Sequence, residues 1–185
     1  MKRKRILAMI LAVASCLSLA VSASAASTTT RKATDFRDYD RTAWYAEAVS
    51  AAVDNGLLYG KSSTIIDPNG AMTRAEMAAI INRSFGCYKT ADISQYKDVS
   101  KDKWYYKDIA LAAQMGTYNG RSTSTMASDA PISRQEAMTV VARALELDYD
   151  AYAKTDLSAF SDRSEISNWA LPYVRAMVGA DYIHG

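Results

Sequence analysis

The chain has 185 residues, of which 49% are hydrophobic and 23% are charged. This composition is typical of an ordinary globular protein and excludes the collagen-like and disordered classes. The formal net charge is +2, but four basic residues lie within the first five positions and the first acidic residue is Asp35. Without that basic tip the acids outnumber the bases, so the charge gives no reason to expect binding to nucleic acid or to an anionic membrane.

The N-terminal segment, residues 1–25, has the pattern of a secretory signal peptide. A basic start at residues 2–5 precedes an apolar run over residues 6–21 and a small-residue ending, so we expect cleavage after Ala25. A membrane anchor is the weaker interpretation, because about 16 apolar residues interrupted by polar ones are too few to span a bilayer. A lipoprotein site at Cys16 is a second alternative, disfavoured because the apolar run continues past the cysteine.

The mature chain should hold a single thiol. Cleavage leaves about 160 residues, which can bury about 70% of their unfolded surface, so packing must supply the stability. Cys87 then has no intrachain disulfide partner. We interpret it as a buried or idle thiol at the end of an apolar helix pattern. A nucleophilic cysteine needs a nearby base, and the one histidine, His184, lies near the end of the chain.

An internal repeat with a constant offset of 60 positions organises the chain after a predicted linker at residues 26–35. Its landmarks are aromatic, glycine and charged residues, which a shared site geometry explains better than a shared core. Repeats of this length indicate stacked copies of one supersecondary unit. The matching pairs are Phe36 and Tyr96, Asp38 and Asp98, Trp44 and Trp104, Gly60 and Gly120, Arg74 and Arg134, Glu76 and Glu136, and Arg83 and Arg143.

A third, shorter copy begins at Phe160 and includes Asp162 and Trp169. Gly185 aligns with the second glycine of the two earlier copies, so the counterpart of the second half of the unit is missing from the sequence. We therefore divide the chain into a first unit at residues 36–95, a second at 96–159 and a partial third at 160–185.

Each unit is predicted to contain two helices and a structured loop, which makes the fold class all-α. The first helix of unit 1 is predicted over residues 42–55, with Gly56 as its C-terminal stop, and the second opens at Thr73. We expect the two helices of a unit to pack on each other. The partial third unit would then lack a partner helix, and its apolar face would mediate self-association; that face comprises Trp169, Tyr173, Val174, Met177 and Ile183.

The second helices begin with capping boxes, Thr73-x-x-Glu76 and Ser133-x-x-Glu136. In such a box the hydroxyl accepts from the third helical amide and the glutamate accepts from the cap amide. Arg74 places a cation on the first helical residue, where the helix dipole is already positive, and Arg134 does so in the second copy. A bound anion would explain both cations, whereas a solvated or ion-paired arginine is the structural alternative.

The tryptophans and aspartates of the repeat allow two interpretations. Trp44, Trp104 and Trp169 suit a core corner as well as the wall of a sugar site, because an indole combines apolar area with a donor. The aspartate of each unit, at Asp38, Asp98 and Asp162, either orients the segment before the helix or bonds ligand hydroxyls.

The whole pattern, Phe36-x-Asp38, Trp44-Tyr45-Ala46, Gly56-Leu57, Gly60 and Thr73-Arg74-Ala75-Glu76-Met77, strongly resembles the S-layer homology (SLH) domain. The resemblance extends over residues 36–185. It implies a pseudo-threefold prism of three units whose intervening grooves bind secondary cell-wall polysaccharide carrying pyruvate ketals. The ligand-binding residues it implies are Arg74, Arg134, Asp38, Asp98, Asp162, Trp44, Trp104, Trp169, Gly60 and Gly120.

The leading hypothesis is a non-catalytic, secreted module that anchors a protein to the bacterial cell wall, with no cofactor, no metal and no membrane contact after signal cleavage. One alternative is a helical-repeat adaptor that binds protein. A second is the anchoring part of a wall-associated hydrolase whose catalytic domain lies elsewhere. The sequence has no His-Glu-x-x-His, Gly-x-Ser-x-Gly or Cys-His pattern at usable positions, so no catalytic residue is assigned.

Overall fold

The computed structural model describes residues 31–184. Over this range the fold is all-α, as predicted, and its one strand-like pairing is an isolated bridge between Thr73 and Pro131. The predicted signal peptide, Cys16 and the first half of the predicted linker lie outside the described residues. The helices are α1 (Ala46–Asp54), α2 (Arg74–Phe85), α3 (Tyr106–Met115), α4 (Arg134–Ala144) and α5 (Leu171–Gly179), with 3₁₀ turns at Ala33–Asp35 and Arg163–Glu165.

The first helix of unit 1 is shorter than the sequence pattern indicates, because α1 begins at Ala46 rather than at residue 42. Residues 41–45 form turns instead. The Asp40 carboxylate accepts hydrogen bonds from the backbone N–H of Thr42 at 2.8 Å and from its hydroxyl at 2.7 Å. This local side-chain bonding competes with helix formation and delays the first helical turn.

Helices pair between units rather than within them. The second helix of unit 1, α2, packs against α3 of unit 2, and α4 of unit 2 packs against α5 of unit 3. The two second helices, α2 and α4, also contact each other. The prediction that the two helices of one unit pack together is therefore wrong.

This pairing covers the partial third unit. Val174 and Met177 on α5 are only 6% and 4% exposed, because α4 lies against them. The expectation that this half-unit lacks a partner helix is wrong, while Trp169 at 51% remains exposed beside it.

The helix without a helical partner among residues 31–184 is α1. Its main contact is the 3₁₀ turn at Ala33–Asp35, within a small cluster that also includes Phe36 and Ile66. Val49 on α1 is half-buried, whereas its counterpart Ile109 on α3 is 0% exposed under α2. The largest apolar core is centred on unit 2 and the helix that covers it.

Candidate functional site

The two capping boxes form as the sequence predicts and fix where each helix arginine sits. The Thr73 hydroxyl accepts from the Glu76 N–H at 3.2 Å, while the Glu76 carboxylate accepts from the Thr73 N–H at 2.8 Å. Ser133 and Glu136 make the same pair of bonds at 3.3 and 2.8 Å. Each box places an arginine on the first residue of its helix, α2 or α4.

The first of these arginines, Arg74, is enclosed in the junction between units 1 and 2, where it is 5% exposed. One guanidinium nitrogen donates to Glu136 Oε1 at 2.8 Å, and Nε donates to the Met126 carbonyl at 3.1 Å. The guanidinium also lies 5.0 Å from the centroid of the Tyr118 ring. All of these contacts come from unit 2, so in this structure Arg74 holds two units together and is closed to a ligand.

The backbone amides beside Arg74 are occupied as well. The N–H of Arg74 donates to the Ala130 carbonyl at 3.0 Å, and the N–H of Ala75 donates to the Ser128 carbonyl at 2.9 Å. The free N–H groups that could hold an anion at a helix start are therefore taken by the loop of the next unit. The anion expected beside Arg74 has no open donors at this end of α2.

The second arginine, Arg134, has a different environment. Its side chain is exposed, and it lines an open groove of about 230 Å³ between units 2 and 3. Within residues 31–184, the N–H groups of Arg134 and Gln135 have no hydrogen-bond acceptor. The groove also contains Asp162 and Glu165, and its apolar walls include Met138, Leu157, Phe160, Val174, Val178 and Ile183.

The contrast between Arg74 and Arg134 follows from what covers each helix start. Tyr118, Met126 and Glu136 come from the second half of unit 2, downstream of Gly116. Within residues 31–184 no segment covers the start of α4 in this way, and the Arg134 side chain is exposed. Equal sequence positions therefore give one buried, paired arginine and one open arginine in a groove.

The cap glutamates carry a second interaction that the sequence analysis missed. Lys61 pairs with Glu76 at 2.6 Å, and at the same place in unit 2 Arg121 pairs with Glu136 at 3.2 Å. Burial acts to raise the pKa of Glu136, but the Ser133 N–H and the Arg74 charge outweigh it and hold the pKa below its usual value. The recurrence of a basic residue at Lys61 and Arg121, 60 positions apart, was the available signal.

The repeated aspartates organise the loop of their own unit. Asp38 accepts from the N–H groups of Ile66 at 2.9 Å and Asp67 at 2.7 Å. Asp98 accepts in the same way from Met126 and Ala127. The bond from Ile66 is the largest contribution to a lowered pKa at Asp38. Both carboxylates are therefore engaged by backbone, whereas Asp162 lines the open groove.

The repeated glycines are required by close packing. A Cβ at Gly60 would lie 2.5 Å from Phe36 Cε1, and one at Gly120 would lie 2.6 Å from Tyr96 Cε1. Both glycines also have positive φ, 81° and 76°. They shape the turn that sits on the aromatic landmark of their unit.

All three tryptophans lie at the surface, with Trp44 93%, Trp104 61% and Trp169 51% exposed. The core interpretation of these residues is therefore excluded. Trp104 contacts the Tyr105 ring edge to face at 5.4 Å, and the Tyr105 hydroxyl donates to Asp129 at 2.6 Å. The buried tyrosine thus supports an exposed indole.

The remaining features of the described residues concern metal sites, thiols and membrane-spanning helices. Residues 31–184 contain no group of His, Cys, Asp and Glu side chains arranged to hold a metal ion. Cys87 is a free, half-buried thiol beside the Met115 sulfur at 3.2 Å. No helix in this range has the length and apolar character needed to cross a membrane.

Comparison with known proteins adds independent information. The family model described as the S-layer homology domain matches residues 35–78 and 95–138. Each segment begins one residue before the predicted start of unit 1 or unit 2 and lies otherwise within that unit, and the partial third unit stays a prediction. Each match starts just before the landmark aspartate and ends within α2 or α4.

Three relatives share sequence with most of this chain. The surface-layer 125 kDa protein of Lysinibacillus sphaericus is 32% identical over 83% of this chain and 13% of its own length. An endoglucanase of Bacillus sp. (strain KSM-635) is 25% identical over 98% of this chain and 19% of its own length. The exoglucanase XynX of Acetivibrio thermocellus is 26% identical over 84% of this chain and 14% of its own length. The chain thus spans less than a fifth of each relative's length.

Proposed function

Because this chain belongs to the S-layer homology family, we propose that it is a non-catalytic module that anchors a protein to the bacterial cell wall by binding a pyruvylated secondary polysaccharide. S-layer homology domains are modules of cell-wall association.

The observation that carries the proposal is the environment of Arg134. An exposed guanidinium and two open N–H groups at a helix start lie together at one end of a groove. A ketal carboxylate would receive charge-assisted hydrogen bonds there and would also be favoured by the helix dipole. The bulk of the groove wall is apolar, as suits the less polar face of a sugar ring.

The exposed tryptophans are the proposed sugar platforms. Trp104 and Trp44 present large indole surfaces to solvent, and each is held edge to face by the tyrosine that follows it. Stacking on sugar faces would use the apolar area, and the indole N–H would bond a hydroxyl.

The ionisable groups of the described units favour a non-catalytic role. Glu76 and Glu136 are used as helix caps, and Asp38 and Asp98 hold their loops. A hydrolase acting through paired carboxylates needs such groups directed at a substrate. The hydrolase relatives match this chain over less than a fifth of their own length, so we assign their catalysis to their other segments.

The test is binding to purified wall sacculi before and after removal of the pyruvylated polymer. We expect the mature protein to sediment with intact sacculi and to remain in solution with stripped ones. Arg134→Gln should weaken binding about tenfold or more, as expected for a lost charge-assisted contact. The matched control is Lys89→Gln, which removes one charge from an exposed side chain outside the groove. Equal binding to intact and stripped sacculi would refute the proposal.

A further inference from the structure

We propose that a second surface site, formed by Lys154 near the end of unit 2 and by Arg163 and Arg175 of unit 3, binds a phosphate group. These side chains line one open pocket of about 470 Å³, here called the basic pocket. The basic pocket adjoins the groove between units 2 and 3 at Leu157, which lines both, but Arg134 and Asp162 do not line the basic pocket. The inference goes beyond the proposed function and does not depend on it.

Charge in the basic pocket is unbalanced. Three cations line it together with one carboxylate, Asp156. That carboxylate already accepts hydrogen bonds from the N–H of Ser158 at 2.8 Å and from its hydroxyl at 2.6 Å. Among the ion pairs found within residues 31–184, none involves Lys154, Arg163 or Arg175. A surplus of positive charge therefore faces the pocket.

Arg175 carries an unmet hydrogen-bonding requirement. Its Nε is shielded from solvent and has no acceptor among the described residues. Because a solvent-shielded atom is also closed to a ligand, an oxyanion in the basic pocket would meet the terminal guanidinium nitrogens of Arg175 rather than Nε. Arg163 gives one bond of 3.3 Å to the Phe160 carbonyl, which leaves the other donors of its guanidinium available to a ligand.

The fold does not require two of these cations. The segment leading into unit 2, residues 90–95, matches the segment leading into unit 3, residues 154–159, at an offset of 64 positions, and it has Thr90 in place of Lys154. On the helix that follows, where one extra residue makes the offset 65, Ala110 occupies the position of Arg175. In the earlier copy the Ala110 carbonyl accepts from the Ala91 N–H at 3.0 Å, so this segment and helix pack together without either charge.

Phosphate is the anion that fits this set of donors. Two planar guanidinium groups and one ammonium offer more donors than a single carboxylate can accept, whereas phosphate presents several oxygens in a tetrahedron. A surplus of positive charge also matches the charge of a phosphate monoester or diester. The source is either free inorganic phosphate or the phosphodiester of a polymer.

The experiment titrates the mature protein separately with inorganic phosphate, with poly(glycerol phosphate) and with acetate, followed by backbone amide NMR. We expect saturable shifts over residues 154–158 and 171–175 with phosphate, the polymer or both, and much weaker binding of acetate. This mapping uses the unaltered protein. Binding of the polymer alone would identify a phosphodiester, and binding of both would identify the phosphate group itself as sufficient.

The variant for calorimetry combines Lys154→Thr with Arg175→Ala, which installs the residues that the earlier copy has at these positions. We expect phosphate affinity to fall about tenfold or more, while the Lys89→Gln control stays within about twofold of the parent. Unchanged affinity in the double variant, shifts located elsewhere, or equally strong acetate binding would overturn the inference.

Discussion

Replacing Arg74 by alanine should destabilise the protein far more than replacing Arg134, although both residues open a capped helix at the same repeat position. Arg74→Ala removes an ion pair whose side chains are 6% and 13% exposed, together with a bond to the Met126 carbonyl. Breaking a buried pair by removing one partner typically costs about 3–5 kcal/mol. Glu136 keeps its contact with Arg121, so we expect the lower end, about 3 kcal/mol.

For a domain of this size, about 3 kcal/mol corresponds to a fall of about 6–12 °C in the melting temperature. Arg134→Ala removes an exposed side chain with no described partner, so its effect should stay within about 0.5 kcal/mol. Relief of the unfavourable helix dipole interaction would make that small effect stabilising. Paired thermal and urea unfolding curves of the two variants measure the difference. Equal destabilisation by both, or a loss below about 1 kcal/mol for Arg74→Ala, would refute the assignment of Arg74 to the unit junction.

Two further predictions concern the turns and the acid limit of stability. Gly120→Ala should lower the free energy of unfolding by more than the strain of a left-handed backbone, which is about 1–2 kcal/mol. The reason is that the new Cβ would lie 2.6 Å from the Tyr96 ring. Gly116→Ala should cost only the backbone strain, because its Cβ would meet nothing within 4 Å. Equal losses in the free energy of chemical unfolding for the two variants would contradict the close contact between Gly120 and Tyr96. The contribution of Glu136 to the free energy of unfolding should be present at neutral pH and should be lost as the pH falls through the lowered pKa of Glu136 in the folded state. Urea unfolding of the parent between pH 7 and 3 should show this loss. The free energy of unfolding of Glu136→Gln should fall less steeply with decreasing pH, and an equal fall in both proteins would exclude a contribution from Glu136.

The local elements were largely predictable from the sequence, because their causes are local. A hydroxyl residue three positions before a glutamate fixes the start of α2 and α4, and the capping box needs no other part of the chain. The start of α1 was predicted too early because an aspartate turn precedes it. Such a turn depends on one side-chain rotamer, which helical periodicity does not report.

The candidate site was less predictable, because its differences arise from distant segments. Arg74 and Arg134 are equivalent in the repeat, yet one is covered by a loop about 50 residues further along the chain. The pairing of helices between units rather than within them has the same origin. Apolar periodicity says which face of a helix is buried but not which helix buries it, so the partner of α5 was assigned wrongly.

The poor cover on α1 also predicts a gradient of local stability along the chain. A helix whose apolar side chains are half-buried against a short turn can open without disturbing the large cluster around unit 2. Its backbone amides should therefore exchange with deuterium by local opening, well before those of α3 exchange by global unfolding. The α1 end of unit 1 would then unfold independently, while α2 stays folded against α3. Mechanical load or protease applied near residue 46 would meet the weakest part of the described fold first.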